Sequence, residues 1–160
     1  GIRADLPEGD RKKKIIYEIL PFEISIVVLK LKGSQVKELF DYIATIPNGA
    51  GAFPQVSKGV SYTINYATKE CENILINEQP IDPVRIYTIA TNSYMASGGD
   101  GYAVFKGAMD TYDTSVFQRD VFIDYIIHLG GTIKPEPDTR ILLKDLEALL
   151  RLPSVIRDAA

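Results

Sequence analysis

The chain has 160 residues, 46% of them hydrophobic, a formal net charge of −3 and a single cysteine. A length of this order suits one globular domain that buries about 68–70% of its unfolded surface with no disulfide or metal staple. The charge argues against the basic footprint of a nucleic-acid binder, and one cysteine excludes an intrachain disulfide while leaving the redox compartment open.

The opening "GIRADLPEGDR" is polar and turn-rich. "KKKIIYEIL" then runs into Pro21-Phe22, and Ile16, Ile19 and Leu20 at helical spacing predict a short helix that stops before the proline. The basic cluster Arg11, Lys12, Lys13 and Lys14 reads as a solvated face. Residues 24–32, "ISIVVLKLK", are rich in β-branched side chains and end at Gly33, which predicts a strand apolar on both faces and therefore central. "SQVKELFDYIATI" carries Val36, Leu39, Phe40 and Ile43 as an i, i+3, i+4, i+7 stripe, with Ser34 as N-cap. Residues 60–67, "VSYTINYA", alternate as a strand does. "ENILINEQPIDP" reads as a short strand and a turn closed by Pro80 and Pro83. Residues 85–91, "RIYTIAT", form another alternating strand.

Residues 116–129, "VFQRDVFIDYIIHL", read as a second amphipathic helix stopped by Gly130-Gly131. "GTIKPEPDTRIL" is Pro-rich and extended. In the final "LLKDLEALLRLPSVIRDAA", Leu142, Leu143, Leu146, Leu149 and Leu150 keep helical spacing until Pro153. Helices and strands mix without regular βαβ alternation. An α+β fold of layered helices and a mixed sheet, with hairpins between residues 60 and 91, fits better than a doubly wound sheet. No apolar run approaches the ~20 residues of a membrane helix. No basic segment followed by an apolar core marks a signal peptide, which leaves localisation open.

The scarcity of His and Cys limits the chemistry. His128 is the only imidazole and falls in a helical pattern, and it shares no motif with Cys71. They read as a helix-end histidine, favoured there by the dipole, and a core or surface thiol. A two-metal hydrolytic centre takes several His and carboxylate ligands, and no such spacing occurs. Neither a catalytic residue nor a metal ligand is expected on this chain.

Residues 91–105, "TNSYMASGGDGYAVF", carry the main signal, with three glycines in four positions beside Asp100 and bracketed by Tyr94, Tyr102 and Phe105. Gly98, Gly99 and Gly101 can adopt φ > 0 and let the backbone come close to another group. Asp100 is an acceptor-only carboxylate suited to hydroxyl donors. One reading is a ligand edge with aromatic faces; the other is a tight turn whose aromatics belong to the core. No Lys-Ser/Thr follows the glycines, so this is not a P-loop, and the dinucleotide fingerprint does not match.

"TNSYMASGGDGY" resembles the signature of the C-terminal domain of the 5'-nucleotidase family, which also holds UDP-sugar hydrolases and 2',3'-cyclic-nucleotide phosphodiesterases. "INEQPIDPVRIYTIAT" and "EILPFEISIVVLKLKGSQVKELF" match the same pattern, and "GIRADLPEGD" resembles the family's Asn-Gly-Gly-Gly-Ile-Arg segment. The four blocks occur in family order over residues 1 to about 141. The resemblance implies a fold like that C-terminal domain over residues 1–141, followed by a helical extension over 142–160. It implies a nucleotide or nucleoside ligand whose base stacks between Phe22 and Tyr94, where the family often has Phe at the second position. It implies Asp100 on the ribose hydroxyls, Arg3 on the ribose and phosphate end, and Gly98 and Gly99 where the ribose meets the backbone. By the same resemblance two divalent metals sit on a separate metallophosphatase domain, in cis or on another chain. The setting is then periplasmic, secreted or at the cell surface, with neither nucleic acid nor a membrane span involved. Two departures stand out. Glu23-Ile24 replaces the family's Gly-Asn after Pro-Phe, and the catalytic domain lies outside this chain, so a stand-alone nucleotide-binding or interaction module is the alternative.

Overall fold

A computed structural model describes residues 2–10, 12–134, 138–145 and 147. In chain order the elements are α1 (Lys14–Ile19), β1 (Ser25–Lys32), α2 (Gly33–Ile43), β2 (Val60–Asn65), β3 (Glu70–Ile76), β4 (Gln79–Pro80), β5 (Ile86–Asn92), α3 (Ser93–Ala96), β6 (Asp110–Phe117), α4 (Gln118–His128) and β7 (Ile141–Lys144). Two short 3-10 turns lie at Gly99–Gly101 and Ala103–Gly107.

The strands form two sheets, one antiparallel in the order β5–β1–β6 and one in the order β4–β3–β2–β7, where β7 runs parallel to β2. Helices layered against sheets, one of them mixed, give the α+β class. β1 is central, as its β-branched run predicts, but not apolar on both sides. Ser25, Val27, Leu29 and Leu31 are buried, Ile26 and Val28 half-buried, and Lys30 and Lys32 exposed. An antiparallel sheet needs only one covered face. The hairpins expected between 60 and 91 occur as β2–β3–β4, turning at Asn77 and Glu78, both at positive φ. β5 leaves them to join β1.

α2 packs on both sheets. Its stripe of Val36, Leu39, Phe40 and Ile43 is buried with Leu29 and Leu31 of β1, Tyr62 and Ile64 of β2, and Cys71 and Ile74 of β3. The helix starts at Gly33, and Ser34 does not cap it: Gln35 Oε1 accepts from the Lys32 N–H instead, at 3.0 Å. The N–H groups of Gly33 and Ser34 donate to the carbonyls of Arg85 and Pro83. Any side chain at Gly33 would run into the Asp82 backbone. α1 and α4 make a smaller cluster of Ile16, Ile19 and Ile123.

Two expectations at the C-terminal side are corrected. The helix read over 116–129 begins at Gln118, because Val116 and Phe117 close strand β6. It is also less amphipathic than its sequence suggested, with Ile123 buried while Val121, Tyr125 and Ile127 are exposed. Its stop is as expected: Gly130 and Gly131 take positive φ, and their N–H groups bond to the carbonyls of Ile127 and Ile126. Leu142 and Leu143 are not helical but lie in β7, since pairing with β2 satisfies their backbone groups. The remaining leucines of that pattern, Leu146, Leu149 and Leu150, lie outside the described side chains.

Candidate functional site

Strand register gathers three loops at one end of the first sheet. Ile26 pairs with Asn92 and Ser25 with Phe117, so the entry to β1 lies beside the exits of β5 and β6. Phe22 precedes that entry, Tyr94 to Asp100 follow the first exit, and Arg119 follows the second. Ser25 ties the entry of β1 to α3 and to strand β6. Its N–H donates to Ser93 Oγ at 3.2 Å and its hydroxyl donates to Asp113 Oδ2 at 2.9 Å.

α3 is a single turn started by Asn92, whose Oδ1 accepts from the Met95 N–H at 2.8 Å. It places Tyr94 on the surface, 50% exposed. Gly98 then takes φ +87°, and Asp100 takes φ +51°, a left-handed conformation that Asp tolerates better than most residues. The other two bracketing aromatics belong to the core. Tyr102 and Phe105 are buried and stacked with centroids 5.9 Å apart, and Tyr102 Oη donates to the Ala52 carbonyl at 2.8 Å.

The turn packs closely on its neighbours. A Cβ at Gly99 would come within 2.6 Å of the Tyr94 ring and of the Tyr94 carbonyl. Beside Gly98 lies the Lys106 methylene chain, and beside Gly101 the Tyr42 hydroxyl. These glycines therefore make room for the protein's own side chains. Tyr94 Oη donates to Asp100 Oδ1 at 3.0 Å, and Tyr42 Oη donates to the Asp100 backbone carbonyl.

Phe22 is 44% exposed, with the Arg3 guanidinium 5.2 Å from its ring centroid. The Arg3 N–H is anchored on the Ile19 carbonyl at 2.9 Å. The structure thus brings Tyr94, Gly98, Gly99 and Asp100 into one turn and Arg3 and Phe22 into one pair. Among the described residues no ring contact joins Phe22 to Tyr94; sheet register alone sets them at the same end of the fold.

Two residues of the site went unseen in the sequence. Tyr42 lies off the buried stripe of α2, so periodicity hides it. Arg119 lies between the rings of Tyr17 and Phe117, 5.1 and 4.9 Å from their centroids, and pairs with Glu23 at 3.4 Å. The Glu23 departure from the family pattern therefore has a partner. A separate apolar groove of about 510 Å³ runs between α4 and the N-terminal segment, lined by Ile2, Leu6, Val121 and Phe122 among others. Cys71 is buried in the core, and desolvation pushes its thiol up to about 12, far from a nucleophile's range. His128 is the last residue of α4.

Comparison with known proteins adds a family. Residues 1–107 match the model described as 5'-nucleotidase, C-terminal domain. The chain is 33% identical over 150 residues to the trifunctional nucleotide phosphoesterase protein YfkN of Bacillus subtilis, an alignment covering 88% of this chain and 10% of that protein. It is 30% identical over 165 residues to a 5'-nucleotidase of Diplobatis ommata, covering 94% of this chain and 28% of the other. The crystal structure of a 5'-nucleotidase precursor from Thermus thermophilus superposes with a TM-score of 0.76 at 29% identity, covering 91% of this chain and 30% of that one. The chain thus spans less than a third of the length of each of these proteins.

Proposed function

Because the chain belongs to the family of 5'-nucleotidase C-terminal domains, a family of hydrolases, we propose that it holds the base and ribose of a nucleotide while a metallophosphatase domain, in cis or on a separate chain, cleaves the phosphate ester. The observation that carries this reading is the Gly-rich turn. It presents a half-exposed ring, Tyr94, bonded to an exposed carboxylate, Asp100, at the same sheet end as the half-exposed ring of Phe22. Aromatic faces grip any base, at about 1–3 kcal/mol per stacked base. A carboxylate accepts from the hydroxyls of a vicinal diol, and an arginine fork matches a phosphate. Phe22 and Tyr94 take the base, Asp100 the ribose, and Arg3 the phosphate end. Gly98 and Gly99 serve the sugar indirectly, by making room for Lys106 and the Tyr94 ring in the turn that presents Asp100.

In this reading residues 1–141 form the nucleoside-holding unit and residues 142–160 extend it, with β7 fastening the start of that extension to β2. The two divalent metals belong to the metallophosphatase domain. Among the described residues no group of three or more His, Cys, Asp or Glu could hold a metal. The whole protein acts in the periplasm, outside the cell or at its surface. No helix of the described residues is long and apolar enough to cross a membrane.

The test is calorimetric titration of the chain with adenosine, AMP and UDP-glucose, alongside Asp100→Asn and Arg3→Ala. Asp100→Asn is expected to weaken adenosine, and Arg3→Ala to cost AMP more than adenosine. Failure of all three ligands to bind overturns the reading. Highly purified chain is expected to leave AMP intact with or without added divalent metal. Metal-dependent turnover abolished by a substitution within this chain overturns the division of labour.

A further inference from the structure

We propose that Tyr94 is a positioning residue for sugar recognition as well as a base platform: its hydroxyl fixes the Asp100 carboxylate in the orientation that receives the ribose diol. The proposal rests on the nucleoside-binding reading above. Its own ground is the 3.0 Å bond from Tyr94 Oη to Asp100 Oδ1 together with the way each partner is held.

The backbone of Asp100 is set independently of Tyr94. Its left-handed φ of +51° belongs to a turn in which Gly98 (φ +87°) and Gly101 (φ +81°) also take positive φ, and its carbonyl is taken by Tyr42. The carboxylate is different. It stands exposed on two free torsions, and Tyr94 Oη is the side-chain donor bonded to it. Tyr94 is itself seated, with its ring over Gly99 where a Cβ would come within 2.6 Å of it. Among the described residues, then, a seated ring aims a donor at a carboxylate that no other hydrogen bond holds. A carboxylate has about four lone-pair sites, so one bond to Tyr94 leaves capacity for two sugar hydroxyls while removing rotamers that cannot meet them.

Phenylalanine at this position would offer the same face with no hold on Asp100. Stacking and sugar recognition would then be independent; with tyrosine they are coupled. Immobilising an exposed side chain in advance spares the bound state an ordering cost equivalent to about 3- to 10-fold in affinity.

The experiment compares the chain with its Tyr94→Phe variant, which keeps the ring at a half-exposed position and so puts little of the fold at risk. Calorimetry with adenosine and 2',3'-dideoxyadenosine reads affinity, and NMR three-bond couplings read the Asp100 χ1 torsion in the free protein. The expected result is a loss of about 3- to 10-fold for adenosine, no change for dideoxyadenosine, and an Asp100 χ1 that is single in the parent and averaged in Tyr94→Phe. An equal loss for both nucleosides, or no loss for either, overturns the coupling and leaves the nucleoside site standing. If the parent chain binds neither nucleoside, the nucleoside reading falls and takes the sugar role with it. An Asp100 χ1 already averaged in the parent overturns the positioning role whatever binds.

Discussion

Tyr42 and Asp100 stand 58 positions apart in the chain, and the hydroxyl of the first donates to the backbone carbonyl of the second. The bond ties the surface turn to α2, the helix that packs on both sheets. Tyr42 also meets Tyr102 edge to face at 5.2 Å, so one side chain braces the turn and the core beneath it. Tyr42→Phe keeps the ring and deletes the bond. A loss of about 0.5–1.5 kcal/mol is expected from urea denaturation. An unchanged midpoint would show that the glycines alone hold the turn.

Gly98 and Gly99 differ in what forbids a side chain. At Gly98 the obstacle is a φ of +87°, while the neighbouring Lys106 chain is flexible. At Gly99 it is the ring and backbone carbonyl of Tyr94, both at 2.6 Å. Gly98→Ala is therefore expected to cost about 1–2 kcal/mol of stability with the Tyr94 ring undisturbed. Gly99→Ala is expected to displace that ring and break its bond to Asp100. NMR shifts of the Tyr94 ring distinguish the two; identical shifts in both variants would refute the distinction.

Stability should fall on the alkaline side. Burial raises the Cys71 thiol from 9.0 to about 12. Desolvation is also the largest influence on Tyr42, Tyr62, Tyr66 and Tyr102, and it raises all four. Each group keeps its proton longer in the folded state than in the unfolded one. The unfolded state therefore binds fewer protons above its own pKa, and stability drops as pH rises. Unfolding free energy is expected to hold steady up to about pH 9 and to decline from there through about pH 12, the folded-state value of Cys71. Cys71→Ala should make that decline shallower. A flat profile from about pH 8 to 11 would contradict the burial of these groups.

Strand β7 should matter to the domain rather than to an appendage. Ile141 and Leu143 pack against the main core, and Lys144 Nζ pairs with Glu72 Oε2 at 2.9 Å. A chain ending at Arg140 loses two partly buried aliphatic side chains, roughly 2–4 kcal/mol by burial. It also bares the edge of β2, an invitation to self-association. Thermal melting and sedimentation should show a lower midpoint and larger species. A monomer with the parent's midpoint would mean that residues 1–140 are sufficient.

What could be read from residues alone is what periodicity and local chemistry record. β1, α2 and β5 each bury one face of a repeating pattern, β2 is a strand where its alternation predicts one, and Gly130-Gly131 stops α4 by bonding to its last carbonyls. The order of four short blocks was enough to suggest the family. Tertiary structure decided the rest. β6 is an edge strand whose side chains are mostly exposed, so it leaves no alternation to read. Leu142 and Leu143 keep a helical spacing, yet a parallel partner in β2 supplies the hydrogen bonds that make them a strand. Three aromatics flank the glycines with equal claim in the sequence; contacts with Ala52 and Tyr42 draw Tyr102 inward, Phe105 stacks beneath it, and Tyr94 stays at the surface beside Asp100. What draws Tyr102 inward and makes Leu142 and Leu143 a strand are partners far apart in the chain, and such contacts have no local signature.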